Sequence, residues 1–134
     1  MSRLLSIFTV CIATIFIIQG CASFRNITAK EIRTDEYFHK TYETKKKIKE
    51  IETSLYTYSK ECRQIPLLSI DNNNNKEAFI TISQMGWTDW SVIVVMDFYE
   101  NDDATIIKTY SYYSNPYDII KKIINAIENP HYCD

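Results

Sequence analysis

The chain has 134 residues, which is enough for one domain with a hydrophobic core and too few for two domains of ordinary size. Its 15 basic and 17 acidic residues leave a formal net charge of −2, which argues against nucleic-acid binding, because that function needs a concentrated basic surface. With only 2 Gly and 3 Pro, the composition also argues against a loop-rich or disordered chain.

The first predicted element is an export signal at the N-terminus. Arg3 supplies a positive charge, an apolar run extends from Leu4 to Ile18, and Gln19-Gly20-Cys21 follows. The run of about 15 apolar residues is shorter than the roughly 20 that a bilayer-spanning helix needs. Residues 1–20 are therefore predicted to be a cleaved signal peptide, with the cleavage point just before the cysteine.

The end of this signal, Ile18-Gln19-Gly20-Cys21, resembles the lipobox of bacterial lipoproteins. The resemblance implies that Cys21 carries a thioether-linked diacylglycerol and that its freed amine is acylated, with palmitate as the expected fatty acid. In Gram-negative lipoproteins an aspartate after the cysteine tends to retain the protein at the inner membrane. Ala22 stands there instead, so the resemblance implies the inner leaflet of the outer membrane, with the domain facing the periplasm.

Two other interpretations of this segment remain open. One is an ordinary signal peptide or an uncleaved anchor in which Cys21 is incidental. The other is a secreted protein that is glycosylated at the sequon Asn26-Ile27-Thr28. The lipobox is the longer match, so we expect a membrane-anchored protein in the cell envelope.

The remaining cysteines predict one disulfide. Of the 4 cysteines, Cys11 lies in the predicted signal and Cys21 is the implied lipid attachment site, which leaves Cys62 and Cys133. An exported domain folds in an oxidising compartment, so this pair is expected to be bonded, with two buried free thiols as the alternative. Neither cysteine belongs to a C-x-x-C motif, and a catalytic thiol is not expected.

After the cysteine, residues 21–29 are predicted to form a short lipidated tether, and residues 30–134 a single periplasmic domain. Thr28 and Glu31 match a capping box that opens a helical segment. A helix is predicted over residues 43–62, because apolar residues recur on one face: Ile48, Ile51, Leu55, Tyr58 and Cys62. Lys45–Lys47 and Lys49 form a solvated face of this helix or contact anionic headgroups.

Four strands are predicted next. Residues 64–71 and 77–85 are joined by a turn at Asn72–Asn75, and Pro66 places the first of them at a sheet edge. After a loop at 86–90, residues 91–100 and 105–113 are rich in β-branched and aromatic side chains and form a hairpin.

A C-terminal helix completes the predicted domain. Asn115 is its expected N-cap and Pro116 its first residue, and an apolar stripe follows: Ile119, Ile120, Ile123, Ile124 and Ile127. The predicted fold is thus an α+β two-layer sandwich with an N-terminal helix, a four-stranded antiparallel sheet, a C-terminal helix and one disulfide. This layout is loosely similar to small envelope lipoproteins, a resemblance that implies no activity.

The predicted hairpin supplies the candidate partner surface. Pairing Asn101 with Ala104 places Asp97 opposite Lys108, which predicts a cross-strand ion pair. The face that carries this pair is expected to point away from the helices, and it is rich in aromatic and apolar side chains. The candidate surface consists of Ile93, Tyr99, Tyr110 and Tyr112, with Trp87 and Trp90 from the adjoining loop. The alternatives are that the first helical segment or a loop covers this face, or that it is ordinary sheet surface.

No pattern in the chain predicts catalysis. His39 and His131 are the only histidines, and neither lies in a metal-binding or nucleophile motif. No cofactor, metal or nucleic acid is expected, and the protein is not expected to be an enzyme. The favoured function is a membrane-anchored periplasmic lipoprotein that acts as a protein-interaction module in the envelope. The alternatives are a small-ligand or lipid-binding carrier and an immunity-type protein against an envelope toxin.

Overall fold

The computed structural model describes residues 26–85 and 90–133. The predicted signal peptide, Cys21 and Trp87 lie outside the described residues. Within these two ranges, no helix combines the length and the apolar character needed to cross a membrane.

The described chain forms an α+β fold with a five-stranded antiparallel sheet and two helices. The strands are β1 (Phe38–Thr44), β2 (Ser69–Ile70), β3 (Glu77–Met85), β4 (Trp90–Glu100) and β5 (Thr105–Ser111). Their order across the sheet is β1-β5-β4-β3-β2. Helix α1 (Ile48–Glu61) connects β1 to β2, and helix α2 (Tyr117–Glu128) follows β5.

Both helices pack on one face of the sheet, which we call the core face. The predicted apolar stripe of α1 is buried there, and Ile51, Leu55 and Tyr58 have no exposed surface. Ile120, Ile123 and Ile127 of α2 pack into the same core, against Met96 and Phe98 of β4. Burial of an apolar side chain contributes about 1.5–3 kcal/mol, so this core is the main source of stability.

The predicted disulfide is present and ties the helix layer together. Cys62, the C-cap of α1, bonds to Cys133, beyond the end of α2, with 5.2 Å between the Cα atoms. The two cysteines are 71 residues apart in sequence. Closing a loop of that length restricts the unfolded chain and stabilises the fold by about 4 kcal/mol in the chain-entropy model.

The prediction of four strands was wrong by one strand at the N-terminal side. Residues 38–44 form β1, which pairs with β5, whereas helix was predicted from residue 43; α1 begins only at Ile48. The pattern missed this strand because the seven residues, FHKTYET, are mostly polar and sit at a sheet edge. Their backbone groups find partners along β5, which is distant in sequence.

Two further segments differ from the prediction by more than two residues. The expected strand over residues 64–71 is reduced to Ser69–Ile70, which lies at the sheet edge as Pro66 indicated. The expected helical segment after Thr28 is a single turn, closed by a hydrogen bond from the Ile32 amide to the Thr28 carbonyl. The capping box itself forms, because Glu31 accepts from the Thr28 amide and the Glu31 amide donates to the Thr28 hydroxyl.

The predicted register of the β4–β5 hairpin is confirmed: Asp97 lies opposite Lys108, and Glu100 opposite Thr105. The pairing of β3 with β4 shifts by one residue, since Ile82 pairs with Val94 but Ser83 pairs with Val92. Ile93 is therefore an extra residue in β4. Such a bulge reverses the alternation of side chains beyond it, which changes the face assignment at this end of the strand.

Candidate functional site

The face of the sheet opposite the helices, here called the second face, is partly covered by the first described residues. Ile27 and Ile32 are buried against Val95 of β4, and Tyr37 and Tyr110 pack at the margin. The Val92 amide donates to the Ile27 carbonyl, so the segment is also joined to the end of β4. Residues 26–29, predicted to belong to a tether, thus lie against the sheet, and the segment covers the middle of the face, as the alternative interpretation held.

A salt bridge between Arg33 and Asp97 joins the covering segment to β4 of the sheet. The Arg33 guanidinium meets the Asp97 carboxylate through two nitrogens: Nε lies 2.8 Å from Oδ2 and Nη2 lies 2.8 Å from Oδ1. A further hydrogen bond runs from Arg33 Nη1 to the Ala29 carbonyl. The Asp97 side chain is 8% exposed and that of Arg33 32% exposed. Hydrogen bonding to Asp97 raises the pKa of Arg33 above its ordinary value.

The predicted ion pair of Asp97 with Lys108 was therefore wrong in its partner, although the register was right. A planar guanidinium engages both carboxylate oxygens, which a lysine ammonium cannot do with the same geometry. The Lys108 ammonium lies instead over the Tyr99 ring, 5.6 Å from its centroid.

Beyond the covering segment, the second face exposes two aromatic rings among charged groups. Phe79 of β3 is 38% exposed and Tyr99 of β4 is 39% exposed. Arg33 lies over the Phe79 ring at 5.7 Å, as Lys108 lies over Tyr99. We call this region the Phe79–Tyr99 patch; its members are Arg33, Glu77, Phe79, Asp97, Tyr99 and Lys108.

A shallow depression of about 290 Å³ lies in the patch, between the two rings and the salt bridge, and Asp71 and Glu77 also line it. Burial raises the pKa of the Tyr99 phenol, and the nearby Asp97 carboxylate adds to the effect. The pKa of Tyr110 is raised by the same two causes, in the same order. In both residues the shift favours the neutral phenol, which can donate a hydrogen bond.

A second exposed group lies at the end of the sheet where β3 ends and β4 begins, and it extends past the end of β5 to the first residue of β1. We call it the Trp90 rim; its members are Phe38, Met85, Trp90, Tyr112 and Tyr113. Trp90 and Met85 are paired across β3 and β4. The Tyr113 hydroxyl lies 3.0 Å from Gln84 Oε1, and the Tyr112 and Tyr113 rings are 5.8 Å apart.

The structure does not keep the predicted partner surface together. Tyr99 belongs to the Phe79–Tyr99 patch, Trp90 and Tyr112 belong to the Trp90 rim, and Tyr110 lies between them beside the covering segment. The assignment of Ile93 to this surface was wrong, because the bulge turns it to the core face, where it is 7% exposed. Trp87 lies outside the described residues.

The lysines before α1 have internal roles that neither interpretation of the sequence anticipated. The Lys46 ammonium donates to Ser54 of α1 and to the Ile127 carbonyl at the end of α2. The Lys47 ammonium lies 2.7 Å from the carbonyl oxygens of both Asn101 and Asp102. The Lys46 side chain thus links α1 to the end of α2, and the Lys47 side chain links the start of α1 to the β4–β5 turn.

The polar groups that look reactive in the sequence are engaged in structural contacts. Cys133 is in the disulfide, and His131 lies 2.8 Å from a Glu61 carboxylate oxygen on the exposed end of the helix layer. Across residues 26–85 and 90–133, no group of three or more His, Cys, Asp and Glu side chains is placed to hold a metal ion.

Arg33 and Phe79 were not among the site residues predicted from the sequence. The alternation of β3 places Phe79 on the same face as Thr81 and could have identified the ring. No local signal marks Arg33, whose partner is 64 residues away.

We compared the chain with protein-family models, with curated proteins and with solved structures, and none of the three comparisons finds a match.

Proposed function

We propose that the protein is a lipid-anchored envelope protein whose domain binds a partner protein through the Phe79–Tyr99 patch. The observation that carries the proposal is the exposure of two aromatic rings on a sheet face that neither α1 nor α2 covers. Tyr, Phe and Arg are enriched in the cores of protein interfaces, where rings supply contact area at a low cost in conformational entropy.

The charges of the patch support a protein partner over a small apolar ligand. Asp97 is already paired with Arg33, so a partner can cover it without leaving an unpaired buried charge. Glu77 and Asp71 stand at the margin of the depression and can set the orientation of a partner. A carrier would need a deep apolar cavity, whereas this depression and a second one of about 360 Å³ near Lys47 and Glu100 both have charged linings.

The anchor is part of the proposal and stands on the resemblance of residues 18–21 to a lipobox. Mass spectrometry of the purified full chain measures lipidation of Cys21, and flotation of membranes measures attachment to the bilayer. A Cys21→Ser variant is expected to lack the lipid. A wild-type protein without lipid on Cys21 contradicts this part of the proposal.

The binding site is tested by photocrosslinking in cells, with a benzoylphenylalanine placed at position 79 or 99 of the full chain. The control position is Tyr56, a tyrosine that is 63% exposed on α1, in the opposite layer. We expect one discrete crosslinked protein from positions 79 and 99 and none from position 56. With that partner purified, Tyr99→Ala lowers the affinity about tenfold or more, as expected for an aromatic residue central to an interface, and Tyr56→Ala leaves it unchanged. Equal crosslinking from all three positions, or equal affinities of the two variants, contradicts the proposed site.

An immunity-type protein is the narrower version of this function. It predicts that the crosslinked partner is a toxin. It also predicts that cells carrying a folded variant with substituted patch residues are no longer protected against that toxin.

A further inference from the structure

The Trp90 rim and the beginning of the described chain lie at the same end of the domain. Asn26 lies 3.4 Å from Ser91, beside Trp90, and Ile27 is hydrogen-bonded to Val92. The described chain therefore begins next to this rim.

The connection between Cys21 and the domain is short. Five residue steps separate Cys21 from Asn26, and an extended chain of that length spans at most about 18 Å. This distance is smaller than the one expected from a tether over residues 21–29, because residues 26–29 are held against the sheet. A domain on so short a connection keeps this end near the anchor.

The chemistry of the rim suits the region between lipid headgroups and acyl chains. Met85 is 64% exposed and Trp90 60% exposed, and the exposed Tyr112 and Tyr113 share a depression with the exposed Phe38. Tryptophan and tyrosine favour this region because one part of each ring system is apolar and the other part forms hydrogen bonds.

We infer that the Trp90 rim contacts the surface of the lipid bilayer and orients the anchored domain, so that the Phe79–Tyr99 patch stays accessible from the aqueous side. This inference rests on the proposed function, since it requires the chain before Asn26 to be held at a membrane. A depression at the rim is lined by Glu36 and His39 together with aromatic side chains, and its lining includes no lysine or arginine. The contact therefore depends on insertion of apolar side chains rather than on attraction to anionic lipid, and it should change little with salt.

The test uses the full chain purified from membranes and reconstituted into vesicles of phosphatidylethanolamine and phosphatidylglycerol, with or without bromine on the acyl chains. The chain has 2 Trp, so a Trp87→Phe variant leaves Trp90 as a single fluorescent reporter. In a background of Trp87→Phe and Trp90→Phe, a tryptophan is placed at Tyr112, or at Tyr99 or Tyr56 as matched controls. Circular dichroism confirms that each variant is folded.

We expect brominated lipids to lower the emission of the reporters at positions 90 and 112 by about twofold or more, because rings at headgroup level are within reach of the bromines. The reporters at positions 99 and 56 should keep their emission. Flotation of the vesicles separates the two ways in which this can fail. If the chain floats but all four reporters are quenched equally, or none is quenched, the inference is overturned and the anchor stands. If the chain does not float, the anchor is wrong, and the inference is overturned with it.

Discussion

The two faces of the sheet are covered in different ways. On the core face, two amphipathic helices bury a continuous apolar layer and are joined by a disulfide. On the second face, a short segment buries Ile27 and Ile32 against Val95 and is held by one salt bridge. Among the described residues, the first covering explains why the chain folds, and the second leaves aromatic rings at both ends of the face. The incomplete covering is thus where contacts with other molecules are to be expected.

The sharpest test of this difference compares two phenylalanines on neighbouring strands. Phe98 has no exposed surface and points into the core face, whereas Phe79 is 38% exposed on the second face. We expect Phe98→Ala to lower the free energy of unfolding by about 3–5 kcal/mol, because it removes core contacts and leaves a cavity. Phe79→Ala should lower it by at most about 1 kcal/mol. Urea unfolding of the oxidised proteins measures both values, and similar losses would show that the second face is as important for folding as the core.

A smaller effect is expected when the salt bridge on the second face is broken. Asp97→Ala leaves Arg33 without its carboxylate in a partly buried site, and we expect a loss of about 2–3 kcal/mol, less than for a fully buried pair. Asp103→Asn, in the exposed turn between β4 and β5, is the matched control and should change stability by less than about 0.5 kcal/mol.

The location of this loss is measured by hydrogen exchange. The Val92 amide, which is bonded to Ile27, should exchange faster in Asp97→Ala by more than the global loss of stability explains, whereas the Ile51 amide in α1 should follow the global value. A double-mutant cycle with Arg33→Ala isolates the pair. A coupling energy near zero would mean that the salt bridge does not hold the segment.

The smallest expected effect concerns the phenols on the second face. The pKa values of Tyr99 and Tyr110 are raised by burial and then by the charge of Asp97. The neutral phenols therefore contribute stability that is fully present below the ordinary tyrosine pKa of about 10 and is lost as the pH rises through the folded-state values. Asp97→Asn should lower both pKa values without removing the contribution of burial. A carbon-detected NMR titration of ring-labelled tyrosine, with Tyr99→Phe for assignment, measures the shift, and unchanged values would contradict a role for Asp97.

Patterns that depend on neighbouring residues predicted much of the fold. The stripes of α1 and α2, the span of β3 and the register of the β4–β5 hairpin were all predicted from spacing along one segment. The Cys62–Cys133 bond was predicted by assigning the other cysteines elsewhere. Each of these features rests on a period of 3.6 or 2 residues, on turn chemistry or on a count, all of which are visible in a linear chain.

The missed features depend on contacts between distant segments. Strand β1 forms because β5 offers an edge to it, and the bulge at Ile93 follows from a shift in the pairing of β3 with β4. Because a shift of one residue exchanges the faces of a strand, the predicted partner surface lost Ile93 to the core. The candidate site was thus only partly predictable: Tyr99 was identified, and Phe79 and Arg33 were not.

The sequence by itself determined the helices, the central hairpin and the disulfide pair, because helix and strand periodicity and turn residues act over a few positions. Only the tertiary structure decided what covers the second face. Arg33 finds Asp97 across 64 residues, and Ile27 and Ile32 are buried because a sheet face is there to receive them. Which segment is buried on that face depends on the relative free energies of all segments that could cover it. A local sequence pattern does not contain that information.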